Sequence, residues 1–249
     1  MRIALALLSL ALCPLIALGA IDNGSWSLAP AEQGKVQLSL RGSNGSHHGF
    51  DTSSDWQLTD LRGLDWAGTA KHDVHFSIVR DAGTIECQGF VQDRRGAGLF
   101  TFKPNTQYLA EMQKLGFTFN EPELFSAATF DISLEFARSL KALAVQGIDA
   151  EKLVAFRIHG VTPEFIRDLR SSGLRAGDAD ELIAFRIHGV SPEFVGELNR
   201  LGYPNAPAAQ LIALRIHGVT PEYIESVRSK GLHDLTLEQL VSMRIHGID

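Results

Sequence analysis

Cysteine is scarce: the chain has two in 249 residues, Cys13 and Cys87. If the first twenty residues are removed, Cys87 stands alone and an intramolecular disulfide is excluded. A single thiol in that setting reads as a small buried apolar residue, not as a nucleophile. Basic residues are outnumbered, 23 Lys and Arg against 29 Asp and Glu, for a net charge of −6. No basic stripe is present, so the electrostatic footprint of nucleic-acid binding is missing. The sequence also lacks a phosphate-cradling Walker loop, a nucleophile elbow, zinc-ligand spacing and a clear pair of catalytic carboxylates. It is therefore expected to be non-enzymatic and to carry no cofactor and no metal. A hydrolase built on His72, Asp73 or His75 is the weakest of the functional readings.

Long apolar runs are also rare, and the one present is informative. Arg2 precedes an apolar stretch from Ile3 to Leu18, followed by Gly19-Ala20. A basic start, an apolar centre and small residues at the end make a secretory signal peptide over residues 1–20. Its removal leaves 22 basic against 29 acidic side chains, a net charge of −7. The protein is then expected to be exported, periplasmic or extracellular, with no membrane span once cleaved.

What the sequence does have is an exact repeat. Arg157-Ile158-His159-Gly160-Val161-Thr162-Pro163-Glu164 recurs as Arg186-Ile187-His188-Gly189-Val190-Ser191-Pro192-Glu193. It recurs again as Arg215-Ile216-His217-Gly218-Val219-Thr220-Pro221-Glu222, and Arg244-Ile245-His246-Gly247 nearly ends the chain. The spacing is 29 residues each time, the mark of a repeat architecture. Each copy reads as a corner between two helices. Gly160 ends one helix in the left-handed conformation. Thr162 caps the next, Pro163 is its first residue and Glu164 sits in its positive first turn. Val161 and Ile166 have the spacing of a hydrophobic staple.

Degraded copies lie upstream, with Phe130-Asp131 in the place of His159-Gly160 and Ile132-Ser133-Leu134-Glu135-Phe136 in the place of Val161 to Phe165. The array over residues 105–249 thus holds about five units of two short helices. The second helix of each is expected to start at Asp178 with Glu181, or at Thr236 with Gln239, as capping boxes. In the middle unit Pro207 takes the cap position, and Asn205 is the expected substitute. Helices of about ten residues are marginal alone in water, so they are expected to stack as an α-solenoid.

The phase of the second helix places a charge among apolar residues. At about 100° per residue, Leu182, Ile183, Phe185 and Ile187 share an arc that contains Arg186. A buried arginine needs a partner. The expected one is a corner glutamate, giving a structural ladder of Arg157, Arg186, Arg215 and Arg244 with Glu164, Glu193 and Glu222. Breaking such a pair by Arg→Ala would cost roughly 2–4 kcal/mol. His159, His188, His217 and His246 fall beside the arc at helix C-termini. They read as corner histidines bonding backbone carbonyls, or as a pH-responsive surface. Stacked helices ~8–10 Å apart cannot bring the four rings to one metal.

Residues 21–104 alternate as strands do. Val36, Leu38 and Leu40 share one face, as do Val74, Phe76 and Ile78. Arg80-Asp81-Ala82-Gly83 is a hairpin turn, Thr84 to Val91 the returning strand, and Leu99 to Lys103 a last strand after a turn over 93–98. Residues 44–54 read as a polar loop, so His47 and His48 are solvated histidines. Trp56 to Leu61 reads as a short strand. His72 and His75 are three apart and fall on opposite faces of a strand, which separates them as metal ligands. The expected domain is an antiparallel meander, curled as a half-barrel or folded as a small sandwich, that leans on the helices for stability. The fold class is α+β in two domains.

The repeats resemble the Arg-Ile-His-Gly-Val-Thr-Pro-Glu-Phe-Ile repeats of exported or membrane-anchored bacterial proteins. Some of those carry an antibiotic-sensor-type (BlaR-like) metallopeptidase domain. Others join the repeats to a small β domain with a phrase like Val79-Arg80-Asp81-Ala82-Gly83-Thr84. The peptidase activity does not carry over, because H-E-x-x-H and the metallopeptidase's membrane helices are missing here. Solenoids commonly bind proteins or peptides. The expected function is therefore an exported interaction or scaffold module with a protein or peptide partner in the cell envelope. The alternative is an envelope-sensor accessory whose β domain binds a small apolar or glycan ligand in an open mouth. N-terminal sequencing of the exported protein should read from between Gly19 and Ile21; a sequence starting at Met1 would remove the argument for export.

Overall fold

The computed structural model describes residues 24–43, 49–174 and 177–248. The signal peptide expected over residues 1–20, and His47 and His48, lie outside the described residues. The chain is an α+β protein in two parts. Strands β1 (Gly24–Pro30), β2 (Val36–Ser43), β3 (Gly49–Trp56), β4 (His72–Arg80), β5 (Gly83–Gln92) and β6 (Arg95–Pro104) form one antiparallel sheet in the order β3-β2-β1-β6-β5-β4. Helices α1 (Thr106–Lys114), α2 (Glu121–Thr129), α3 (Leu134–Ala142), α4 (Ala150–His159) and α5 (Pro163–Ser171) follow. They continue as α6 (Ala179–His188), α7 (Pro192–Arg200), α8 (Ala208–Ile216), α9 (Pro221–Ser229) and α10 (Leu237–Ile245). Among the described residues, no helix is long and apolar enough to cross a membrane.

The sheet consists of two three-stranded meanders joined where β1 pairs with β6. Alternation sends Trp26, Leu28, Val36, Leu38, Leu40, Phe76, Ile78, Ile85, Cys87, Phe100 and Phe102 to one buried face. Strands three places apart in a flat sheet would be about 14 Å distant. Yet Trp26 of β1 meets Phe76 of β4 edge-on with ring centroids 5.1 Å apart, and Phe50 of β3 lies 6.2 Å from Phe100 of β6. Both wings therefore curl inward, and the half-barrel form of the two sequence expectations is the one adopted. The curl depends on glycine where Trp26 crosses β5 and β6. A β-carbon on Gly98 would lie 2.7 Å from Trp26 Nε1 and 2.0 Å from Gln88 O. The indole N–H instead donates to Gln88 O and Leu99 O, both at 3.1 Å.

Four points of the reading for this part need correction. β1 was not anticipated, because Ser25 and Ser27 dilute its pattern. The region expected as a polar loop contains β3, whose residues pair with β2 from Gly42↔Phe50 to Val36↔Trp56. β3 is an edge strand with one face outward, so its polar alternation hides it. The strand expected at Trp56 to Leu61 is a 3-10 turn over Leu58–Asp60, and β6 starts at Arg95, inside the expected second turn.

The helices form two rows. Odd-numbered helices contact odd-numbered neighbours and even-numbered contact even-numbered, from α1 to α9 and from α2 to α10. The expected caps are made by side chains: Thr162 accepts from Phe165 N at 3.1 Å, Ser191 from Phe194 N at 3.2 Å and Thr220 from Tyr223 N at 3.3 Å. Gly160 and Gly189 end their helices at φ 70°. Asp178 caps α6 through Glu181 N, but among the described residues the reciprocal capping box forms at Thr236–Gln239 and, unforeseen, at Asn120–Glu123. Asn205 does not substitute for Pro207; it turns the chain at φ 58° and α8 begins without a side-chain cap.

The two parts share one continuous core running from Trp26 to Leu240. Phe125 of α2 is the plug between them. Its ring lies 4.5 Å from Phe50, 5.6 Å from Phe100 and 5.4 Å from Phe102, filling the mouth left by the curled sheet. The β4–β5 turn makes the polar side of the joint. Asp81 Oδ2 accepts from Leu134 N at the start of α3 at 2.9 Å, and Asp81 O accepts from Asn105 Nδ2 at 2.9 Å. Asn105 N donates to Ala82 O at 3.0 Å, while its Oδ1 caps α1.

Phe125→Ala should cost about 3–5 kcal/mol, the usual range for deleting a buried aromatic ring. Helical circular dichroism and tryptophan fluorescence should lose amplitude at one common denaturant midpoint, because the core is shared. Cys87 is fully buried, and burial pushes its thiol pKa up. It should therefore resist thiol reagents until that same transition, and labelling at native conditions would show the core to be open.

Candidate functional site

The repeated arginines come together as a column, but not in the way their helical phase implied. Each lies on the aromatic ring of the preceding corner. Arg157 stacks over Phe136 at 5.2 Å, Arg186 over Phe165 at 4.9 Å, Arg215 over Phe194 at 5.1 Å and Arg244 over Tyr223 at 4.7 Å. Each ring belongs to an odd-row helix, so the contact ties one unit to the next. Three of the four guanidiniums also reach the carbonyls where the previous even-row helix ends. Arg157 Nε donates to Phe130 O at 3.0 Å, Arg186 Nε to His159 O at 3.2 Å and Arg244 Nε to Gly218 O at 3.2 Å. Helix C-termini carry partial negative charge and unpaired carbonyls, so the arginine caps its neighbour in trans.

The corner position is left-handed and lies close to the guanidinium of the next unit. Gly160 takes the left-handed conformation, and a β-carbon there would come within 2.8 Å of Arg186 Nη2. At Gly189 the corresponding distance to Arg215 Nη2 is 3.1 Å.

The expected pairing of these arginines with Glu164, Glu193 and Glu222 is not formed. Glu164 pairs with Arg167 on its own helix. Its own backbone N–H, with Thr162 and Arg167, holds its pKa below the usual carboxylate range. Ser191 and the backbone do the same for Glu193, and Thr220 and the backbone for Glu222. These glutamates turn back onto their own helix starts. The exception to the missing carboxylate is at the first corner, where Arg157 Nη2 donates to Asp131 Oδ2 at 2.9 Å. Asp131 occupies the place of Gly160 and holds the left-handed conformation at φ 55°. Asp131 also faces Arg80 of β4, with Nε 3.4 Å from Oδ1, close enough for an ion pair but off the line of a hydrogen bond.

Ile187, placed by phase in the apolar arc, is exposed. So are its equivalents: Ile158 at 54%, Ile187 at 56%, Ile216 at 57% and Ile245 at 58%. On the same helix face, three residues earlier, stand Ala155, Ala184, Ala213 and Ser242. The odd row differs: its outward positions include Arg167, Asp168 and Ser171 on α5 and Glu225, Ser226 and Ser229 on α9, all exposed. His159, His188 and His217 flank the isoleucines with exposed rings. His246 is exposed too and bonds the Ser242 carbonyl of its own helix at 2.7 Å through Nδ1.

A second column was missed. Arg170 Nη2 donates to Leu143 O at 2.8 Å, Asn199 Nδ2 to Ser172 O at 2.6 Å and Arg228 Nη2 to Leu201 O at 2.6 Å. Those carbonyls are the C-caps of α3, α5 and α7. The odd row is thus capped in trans as well. The 29-residue spacing of Arg170, Asn199 and Arg228 was the available signal, obscured by the change to asparagine.

In the sheet, His72 shares the phase of buried Val74 and Phe76, whereas Asp73 and His75 face outward. His72 holds the Ala70 and Asp65 carbonyls, which raise its pKa above the ordinary histidine value. Among the described residues no group of three or more His, Cys, Asp or Glu side chains is placed to hold a metal ion. Compared with protein-family models, with curated proteins and with solved structures, the chain shows no match.

Because Arg186 is exposed and bonds a carbonyl and a ring instead of a buried carboxylate, the sequence-based cost is revised downward. Arg186→Ala should lose about 1–2 kcal/mol, one exposed cation–π contact and one charged hydrogen bond. Arg157→Ala should cost more, since it also removes the hydrogen bond to Asp131 Oδ2. His188→Ala should stay within about 0.5 kcal/mol of wild type. Urea melts of the three variants check the order.

Proposed function

We propose that this chain is a non-enzymatic, exported interaction module that binds a protein or peptide partner along the outward face of α4, α6, α8 and α10. The observation that carries this reading is the row of four isoleucines, each more than half exposed, at the same position of successive even-row helices. Isolated exposed apolar side chains are ordinary, whereas four at one position of successive helices suit a docking surface. The trans-capping columns support it: they hold short helices in fixed register, as a surface that presents side chains at regular intervals requires. The resemblance of the repeats to those of exported bacterial proteins agrees with an envelope location.

In the second reading the β domain of an envelope sensor holds a small apolar or glycan ligand. Phe125 fills the mouth of the sheet, so such a ligand would have to lie on the outer face, where Phe90 and Leu99 are exposed beside His75 and Gln88.

Affinity capture from envelope extract, with wild type and with Ile187→Asp combined with Ile216→Asp, tests the first reading. Both positions are exposed, so the variant should fold with little loss of stability. A partner retained by wild type and lost by the variant is expected. Retention of the same partner by both would move the binding surface elsewhere.

A further inference from the structure

The first corner contains a ligand for the arginine column that the later corners lack. There, Asp131 supplies a carboxylate to Arg157 Nη2 at 2.9 Å, while Nε holds Phe130 O and the guanidinium lies on Phe136. One unit on, Arg186 keeps the backbone carbonyl and the ring, and the residue in the place of Asp131 is Gly160. Arg186 Nη2 stands 2.8 Å from where a β-carbon on Gly160 would be, and Arg215 Nη2 stands 3.1 Å from the same point on Gly189. Neither Arg186 nor Arg215 has a carboxylate within ion-pair distance among the described residues. Each is an arginine set on an aromatic ring, with Nη2 close beside the corner position that Asp131 occupies one unit earlier and with no carboxylate on it.

We propose that the corners at Gly160 and Gly189 are carboxylate-binding sites, and that with Ile187 and Ile216 they take an extended peptide bearing Asp or Glu at every third residue. This rests on the interaction-module reading and names the chemistry of the partner. The spacing follows from geometry. Stacked helices repeat at ~8–10 Å. A polyproline II segment rises ~3.1 Å per residue and presents the same face every third residue, about 9 Å along. One carboxylate then meets each arginine, and the intervening apolar side chains meet the isoleucines. Arginine suits this role because its fork of donors receives a carboxylate while its flat face stays stacked on the ring.

Fluorescence anisotropy with the full chain tests the proposal. The probes are a fluorescein-labelled peptide of four Asp-Pro-Leu triplets and its Asn-Pro-Leu counterpart. The aspartate peptide should bind at least about tenfold more tightly. Gly160→Asp combined with Gly189→Asp should abolish that preference, since each guanidinium end would shift from the new β-carbon and take its carboxylate as Arg157 takes Asp131. Asp131 itself shows that aspartate is accommodated in this backbone conformation. Arg186→Gln combined with Arg215→Gln should abolish the preference by the opposite route, so that a folding defect in either variant leaves the other decisive. Equal binding of both peptides, or of neither, overturns the proposal. So does a dimer in sedimentation that Ile187→Asp dissolves, because a second copy would then cover this face. If capture from extract succeeds while the aspartate preference is absent, the interaction reading stands and the carboxylate assignment falls.

Discussion

Each short helix ends in carbonyls that its own turns cannot pair, and this constraint organises the array. A helix of nine or ten residues has a large share of its backbone in its two ends. Capping the N-terminus is a local matter, done here by Thr162, Ser191, Thr220 and Thr236. Capping the C-terminus is local only in part: past the left-handed glycine, Val161 N and Val190 N return to Phe156 O and Phe185 O, and the last carbonyls are left over. The carbonyls at Phe130, His159 and Gly218 are met by Arg157, Arg186 and Arg244 from the following unit. Those at Leu143, Ser172 and Leu201 are met by Arg170, Asn199 and Arg228. Six helix ends are thus completed by a side chain of the following unit, which couples helix formation to stacking.

The same constraint applies at the joint with the sheet, with different parts. The β4–β5 turn replaces a preceding repeat. Asp81 receives the N–H of Leu134, Ala82 O receives Asn105 N, and Arg80 faces the Asp131 carboxylate that also holds Arg157. On the apolar side, Phe125 completes a sheet that curls but does not close. The sheet serves as the cap of the helical stack, and the stack as the lid of the sheet.

The corners were legible in the sequence because left-handed glycine, N-cap hydroxyl and first-turn proline act within four residues of one another. The antiparallel strands with strong alternation, such as β4 and β5, were legible for the same reason. β1 and β3 were not, since an outward face of serine and aspartate erases the apolar rhythm of a loop-flanked strand. Helical phase put Arg186 and Ile187 in the apolar arc correctly as angles, but an angle does not say which side a neighbouring row covers. The guanidinium found a ring and a carbonyl of the adjacent unit, and the isoleucine faced outward.

The sequence by itself determined the repeat length, the corner glycines, the Thr or Ser caps that follow them and the order of strands before helices, because each follows from covalent spacing and short-range backbone chemistry. Only the tertiary structure decided which groups the arginines meet, that Glu164, Glu193 and Glu222 cap their own helices instead, that Phe125 plugs the sheet, and which apolar side chains remain outside. Those outcomes depend on contacts between residues about 27 positions apart or more, and on the direction in which one row packs on another. The one-dimensional pattern carries no term for either.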